Sequence, residues 1–189
     1  MKDKSVKADR FDTSMVMNNQ EIDRIGVGGV FTVQCFDAGG QLKWEESFHN
    51  LVTKQGLQNM NDVYLRNQTQ TGTWYLGLVD NGSFSAFSNN DTNSSHTGWI
   101  EFTSYSAWTS RPSLAFSAAT NADPSVIATS SASSFSINGT GTVKGAFVTS
   151  LQTGTSGGVL FSEGAFSATR NVVSGDTLNV NYSLSNDGV

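Results

Sequence analysis

Two histidines, His49 and His96, are the only side chains of the 189-residue chain that ordinarily titrate near neutral pH. His96 lies between Asp91 and Glu101, five residues from each. That grouping would suit a metal or an acid–base pair if the chain folded back on itself. The plainer reading is favoured: Asp91 caps a loop turn, His96 bonds locally and Glu101 ends on a strand surface. Glu45 and Glu46 are adjacent on a predicted strand and so point to opposite faces, which rules them out as a local pair for glycoside hydrolysis. No His-Glu-x-x-His, Gly-x-Ser-x-Gly, phosphate-cradling glycine loop or Cys/His metal spacing occurs. The expectation is a protein that is not an enzyme and carries no cofactor or metal. The single cysteine, Cys35, cannot close an internal disulfide, and it alternates with Val33 on one face, as a small apolar core residue would.

Binding by aromatic rings is the other chemistry this composition permits. Serine, threonine, asparagine and glycine supply 80 of the residues, and among them stand Trp74, Trp99, Tyr105 and Trp108, ring systems that stack on sugars when exposed. Trp74 falls inside the apolar run Trp74-Tyr75-Leu76-Gly77-Leu78-Val79 and reads as core, whereas Trp108 has polar neighbours. The Asn81 to Gly98 stretch is long, rich in Asn and Ser, and has Phe84 and Phe87 as its only large apolar anchors. Trp108, Phe84 and Phe87 are therefore the candidates for a glycan-facing surface. A single helical turn capped by Asp91 or Thr92 is expected within that stretch.

Charge narrows the partners. A net charge of −5 and only 14% Asp, Glu, Lys and Arg, with no cluster of basic residues, exclude a nucleic-acid partner. No apolar run approaches the roughly 20 residues needed to span a bilayer, and no secretory leader follows Met1, so a chain made in the cytoplasm and independent of membranes is expected.

The elements that must position these residues are mostly strands. Leu178, Val180, Tyr182 and Leu184 occupy every second position of the last strand, with Thr177, Asn179, Asn181 and Ser183 between them. Segments 135–137, 143–151 and 159–166 supply the apolar surface such a one-sided strand must cover. Val30 to Asp37 and Gln41 to Phe48 form a hairpin through Gly39-Gly40, and Glu46 marks the second strand as an edge. One weak strand is expected around Val126-Ile127. The one helix starts at Thr53 as N-cap and ends by Asn67, with Leu57, Met60, Tyr64 and Leu65 as the stripe expected to pack on the sheet. Residues 1 to 28 carry five basic and five acidic residues and little to bury. They read as an arm that gains order on a partner, through Met15, Val16, Met17, Ile22 and Ile25. The prediction is a mainly β chain: an antiparallel, jelly-roll-like β-sandwich over 29–189, with one short helix and an extended arm over 1–28.

Several phrases, in order along residues 30 to 184, resemble a group of tailed-bacteriophage and prophage virion structural proteins. They are Asn50-Leu51-Val52-Thr53 with Gly56-Leu57, Trp74 to Asp80, Asp91-Thr92 through Ser95-His96 to Gly98-Trp99-Ile100-Glu101, Arg111-Pro112, Gly145-Ala146-Phe147, Leu160 to Phe166, and Gly175-Asp176-Thr177-Leu178. The resemblance implies a virion component, and the role preferred within that class is a decoration or cement protein on the capsid exterior. Its partners would be the major capsid protein and further copies of itself, in a trimer. A tail or head fibre domain that binds host glycans is the alternative within that class.

Overall fold

The computed structural model describes residues 25–106 and 110–188. Two antiparallel sheets pack face to face as a β-sandwich. The first has the order β2 (Leu42–His49), β1 (Ile25–Phe36), β11 (Thr177–Gly188), with β7 (Ser125–Ala128) and β8 (Ser133–Ser136) both pairing with β11. The second has the order β3 (Leu51–Val52), β10 (Leu160–Val172), β9 (Gly141–Thr149), β4 (Trp74–Asp80), β5 (Ile100–Glu101), and β6 (Ser113–Leu114) also pairs with β4.

The alternation of the last strand is used as its pattern requires. Leu178, Val180 and Tyr182 are buried, while Thr177, Asn179, Asn181 and Ser183 on the opposite face are half-buried. Register matches them to β1 as Cys35↔Leu178, Val33↔Val180 and Phe31↔Tyr182, so three apolar cross-strand pairs line the inner face. Leu76 and Leu78 of β4, Ala146 and Val148 of β9 and Phe166 of β10 complete the core from the other sheet. Pairing of β1 with β11 begins at Ile25↔Gly188, so residues 25–28, assigned to the arm from sequence, belong to the sheet. Met15, Val16, Met17 and Ile22 lie outside the described residues. As Glu46 foretells, β2 is an edge strand; that carboxylate accepts from Arg170 Nη2 at 2.5 Å and from the Ser167 N–H at 2.6 Å. Burial pushes the Glu46 carboxyl up, but the Ser167 N–H and the Arg170 guanidinium outweigh it and hold the pKa below the usual value.

The helix α1 (Lys54–Leu65) has the predicted ends. Thr53 accepts the Gly56 N–H through its hydroxyl at 3.0 Å, and Asn67 adopts a left-handed φ of 55°. Its facing differs from the expectation. Gly56 is the buried contact, lying so near the Phe161 carbonyl oxygen that a methyl group there would overlap it. With that side turned inward, Met60 and Val63 are half-buried and Leu57, Tyr64 and Leu65 remain exposed, Tyr64 at 88% and Leu65 at 74%. At 3.6 residues per turn Leu57 and Tyr64 stand about a quarter turn from Gly56, so a helix docked through Gly56 cannot also dock the whole stripe. No helix among the described residues is long and apolar enough to cross a membrane.

Candidate functional site

On the outer face of the second sheet, Glu163, Phe147 and Gly77 are register neighbours across β10, β9 and β4. Gly77 has no side chain, and the far edge of the Phe147 ring occupies the space a Cβ would fill. The Asn81 to Gly98 stretch closes over this face as a lid. Trp99 packs on Phe147 with ring centroids 4.9 Å apart, Phe87 on Trp99 at 5.9 Å and Phe84 on Phe87 at 5.0 Å. With Val79 and Leu160 they form a second, smaller apolar cluster outside the sandwich core. The expected helical turn is absent; a bridge between Thr92 and Ser95 closes a tight turn instead.

The aromatic candidates take their places accordingly. Phe84 and Phe87 are half-buried and hold the lid down, with the Lys144 ammonium 5.7 Å from the Phe84 ring centre. Trp99 is 2% exposed and Tyr105 1%, which leaves neither a free face for a sugar. Trp74 is half-buried, edge-on to Phe161. Trp108 lies outside the described residues.

Asp91, His96 and Glu101 are sent to different partners. Asp91 Oδ2 accepts from Trp99 Nε1 at 3.0 Å and from the Ser88 N–H at 3.2 Å. The His96 ring stacks on Trp99 at 3.9 Å, and its Nδ1 is 3.0 Å from the Trp99 carbonyl oxygen; a carbonyl only accepts, so Nδ1 carries the hydrogen. Glu101 takes a two-pronged bond from Arg111, at 2.8 and 2.7 Å, and Arg111 also donates to the Leu151 and Gly154 carbonyls. Its guanidinium sits 5.4 Å from the Phe147 ring centre. The gap left among His96, Trp99, Glu101 and Arg111 is about 100 Å³. Small-molecule pockets start at roughly 300 Å³, so this one suits a few waters. Among the described residues no three His, Cys, Asp or Glu converge to hold a metal.

Glu163 is the residue that pattern reading passed over. Its carboxyl is fully buried under the lid, where Oε1 accepts from the same Ser88 N–H, at 3.1 Å, that serves Asp91. Burial, and then the neighbouring Asp91 charge, push its pKa up to about 8, so near neutral pH it is a carboxylic acid. A clue was present in sequence: Glu163 interrupts Leu160 to Phe166, a run buried on both faces. A further surface feature is the outward side of α1, along which Leu57, Tyr64 and Leu65 are exposed. No protein-family model matches the chain, and comparison with curated proteins likewise finds no match.

Proposed function

We propose that the protein is a structural component of a tailed-bacteriophage virion, a decoration protein that binds the outside of the assembled shell of major capsid protein and stabilises it. The observation that carries this reading is the outward face of α1. Leu57, Tyr64 and Leu65 are exposed on a helix whose buried side is already satisfied by Gly56, Met60 and Val63. Tyr64 and Leu65 are the most exposed of the large apolar side chains among the described residues, and exposed apolar surface of this kind suits protein association. The occupant we assign is an apolar surface of the major capsid protein. Because the protein would bind only the assembled shell, each bound copy stabilises that shell by mass action. A trimer on a threefold position would repeat the contact three times with one surface. The leading residues, with Met15, Val16, Met17 and Ile22, would add a second contact. The resemblance of the phrases quoted above to virion proteins suggests the class, and two tightly packed sheets with no ligand-sized pocket found among the described residues suit a structural role.

The test is co-sedimentation of the purified protein with expanded, undecorated shells, comparing wild type with Tyr64→Asp and Leu65→Asp. Saturable binding that either substitution weakens at least tenfold is expected. Binding unchanged by both removes α1 from the interface, and no binding to shells removes the decoration role. The fibre-domain alternative gains nothing from Phe84 and Phe87, whose rings are committed to the lid. A glycan array with the same protein would revive it.

A further inference from the structure

We propose that Glu163 and Asp91 share one proton, and that this proton clasps the 81–99 lid onto the outer face of the second sheet. The inference stands apart from what the protein assembles with. It rests first on geometry. Glu163 is fully buried, and its Oε2 has no hydrogen-bond donor among the described residues. One backbone N–H, that of Ser88, is held by both carboxyl groups, which places them side by side. Asp91 is fixed to the lid by the Trp99 indole, and Glu163 is fixed to β10. A hydrogen bond between the two side chains would therefore join lid to sheet, and it requires one of them to be protonated.

Among the described residues, the groups facing the pair offer no cation in place of that proton. From β3 and β9 the register partners of Glu163 are Leu51 and Phe147, which do not titrate. From α1 the nearest cation is Lys54, whose ammonium is bound to Asn90 Oδ1 at 2.6 Å. Arg111 is taken by Glu101, and His96 lies against Trp99, bonded to a carbonyl. From the lid itself only Asp91 is charged among the groups that act on Glu163. When the proton leaves, two buried carboxylates face each other with one shared N–H. The closed lid then pays a desolvation and repulsion cost that an open lid, admitting water, does not.

Linkage gives the size of the effect. An open lid returns Glu163 to an ordinary carboxylate, so the open population grows about tenfold per pH unit between the open and closed pKa values, then levels off. The experiment is hydrogen exchange of the full chain from pH 5 to pH 9, corrected for the intrinsic pH dependence of exchange, reading 82–99 against β1 and β11. In the wild type, protection of the lid is expected to fall steeply with pH and flatten near pH 8, while β1 and β11 do not follow it. Glu163→Gln, whose amide can donate to Asp91 at every pH, should flatten the profile. If that variant leaves the lid open even at pH 5, Asp91→Asn decides. Without the neighbouring charge the fall should end at a lower pH than in the wild type, and an unchanged end point overturns the proposal. A wild-type lid indifferent to pH, or a Gln variant with the wild-type slope, overturns it too. So does millimolar calcium that restores protection at pH 8, since the pair would then hold a cation and not a proton.

Discussion

Replacing Glu163 with glutamine should change how the stability of the whole protein depends on pH, and the surroundings of the carboxyl set the sign. The folded-state pKa of Glu163 is raised, from 4.5 to about 8, so its contribution is fully present below the unfolded value and is lost as pH rises toward the folded one. Each pH unit in that window costs about 1.4 kcal/mol for a single proton, which makes the loss between pH 5 and pH 7.5 roughly 3 kcal/mol. For a chain of this size that corresponds to on the order of 10 °C in melting temperature. Among the described residues no other carboxyl has a raised pKa. Glu46 has a lowered pKa, so its contribution is present above the ordinary carboxylate range and is lost as pH falls, the opposite sign. Melting curves of wild type and Glu163→Gln at half-unit steps from pH 5 to pH 9 would read the difference directly, and the shared background of other titrations cancels in it. The variant should lag or match the wild type at pH 5 and overtake it by pH 7.5. Two parallel curves would refute the reasoning, because they would mean that Glu163 is already ionised in the folded protein.

Tyr182→Phe removes a buried hydroxyl that accepts from Asn50 Nδ2 at 2.7 Å and bonds the Ser162 hydroxyl at 3.1 Å, stranding both partners. A loss of about 1–3 kcal/mol is expected in urea unfolding. Thr53→Ala deletes the cap of α1 together with the bond from its hydroxyl to the Leu160 carbonyl, and should cost about 1 kcal/mol or more, with faster hydrogen exchange in the first turn. Cys35 is fully buried and its thiol is pushed up to about 11, by burial first and then by the Asp176 charge. It should resist a disulfide reagent at pH 8 until the protein unfolds; labelling faster than unfolding would contradict its place in the core.

Much of the fold was legible because it follows local rules. The every-second-residue pattern from Leu178 to Tyr182 predicts a one-faced strand, and that face meets Phe31, Val33 and Cys35. Thr53 and Asn67 mark the ends of α1 correctly, since capping depends on nearby residues alone. The facing of α1 was not legible. Leu57, Met60, Tyr64 and Leu65 look like a core stripe, and what turns them outward is a tertiary fact, the close approach of Gly56 to Phe161. The lid was visible as a long segment with two Phe anchors, but not the surface it covers, because that depends on Phe147 lying over Gly77 from a different strand. Asp91 was singled out with His96 and Glu101 because they are near in sequence. Its actual acidic neighbour, Glu163, is 72 positions away, brought close only by the sheet.

Whether the protein sits on a phage particle, and where, tests the proposed role most directly. Electron cryomicroscopy of the native virion should reveal density for the two-sheet domain on the outer surface of the shell, with α1 turned toward the major capsid protein. Density for the domain on a tail or fibre, or a shell surface that is bare where copies of this chain are present in the particle, would contradict it.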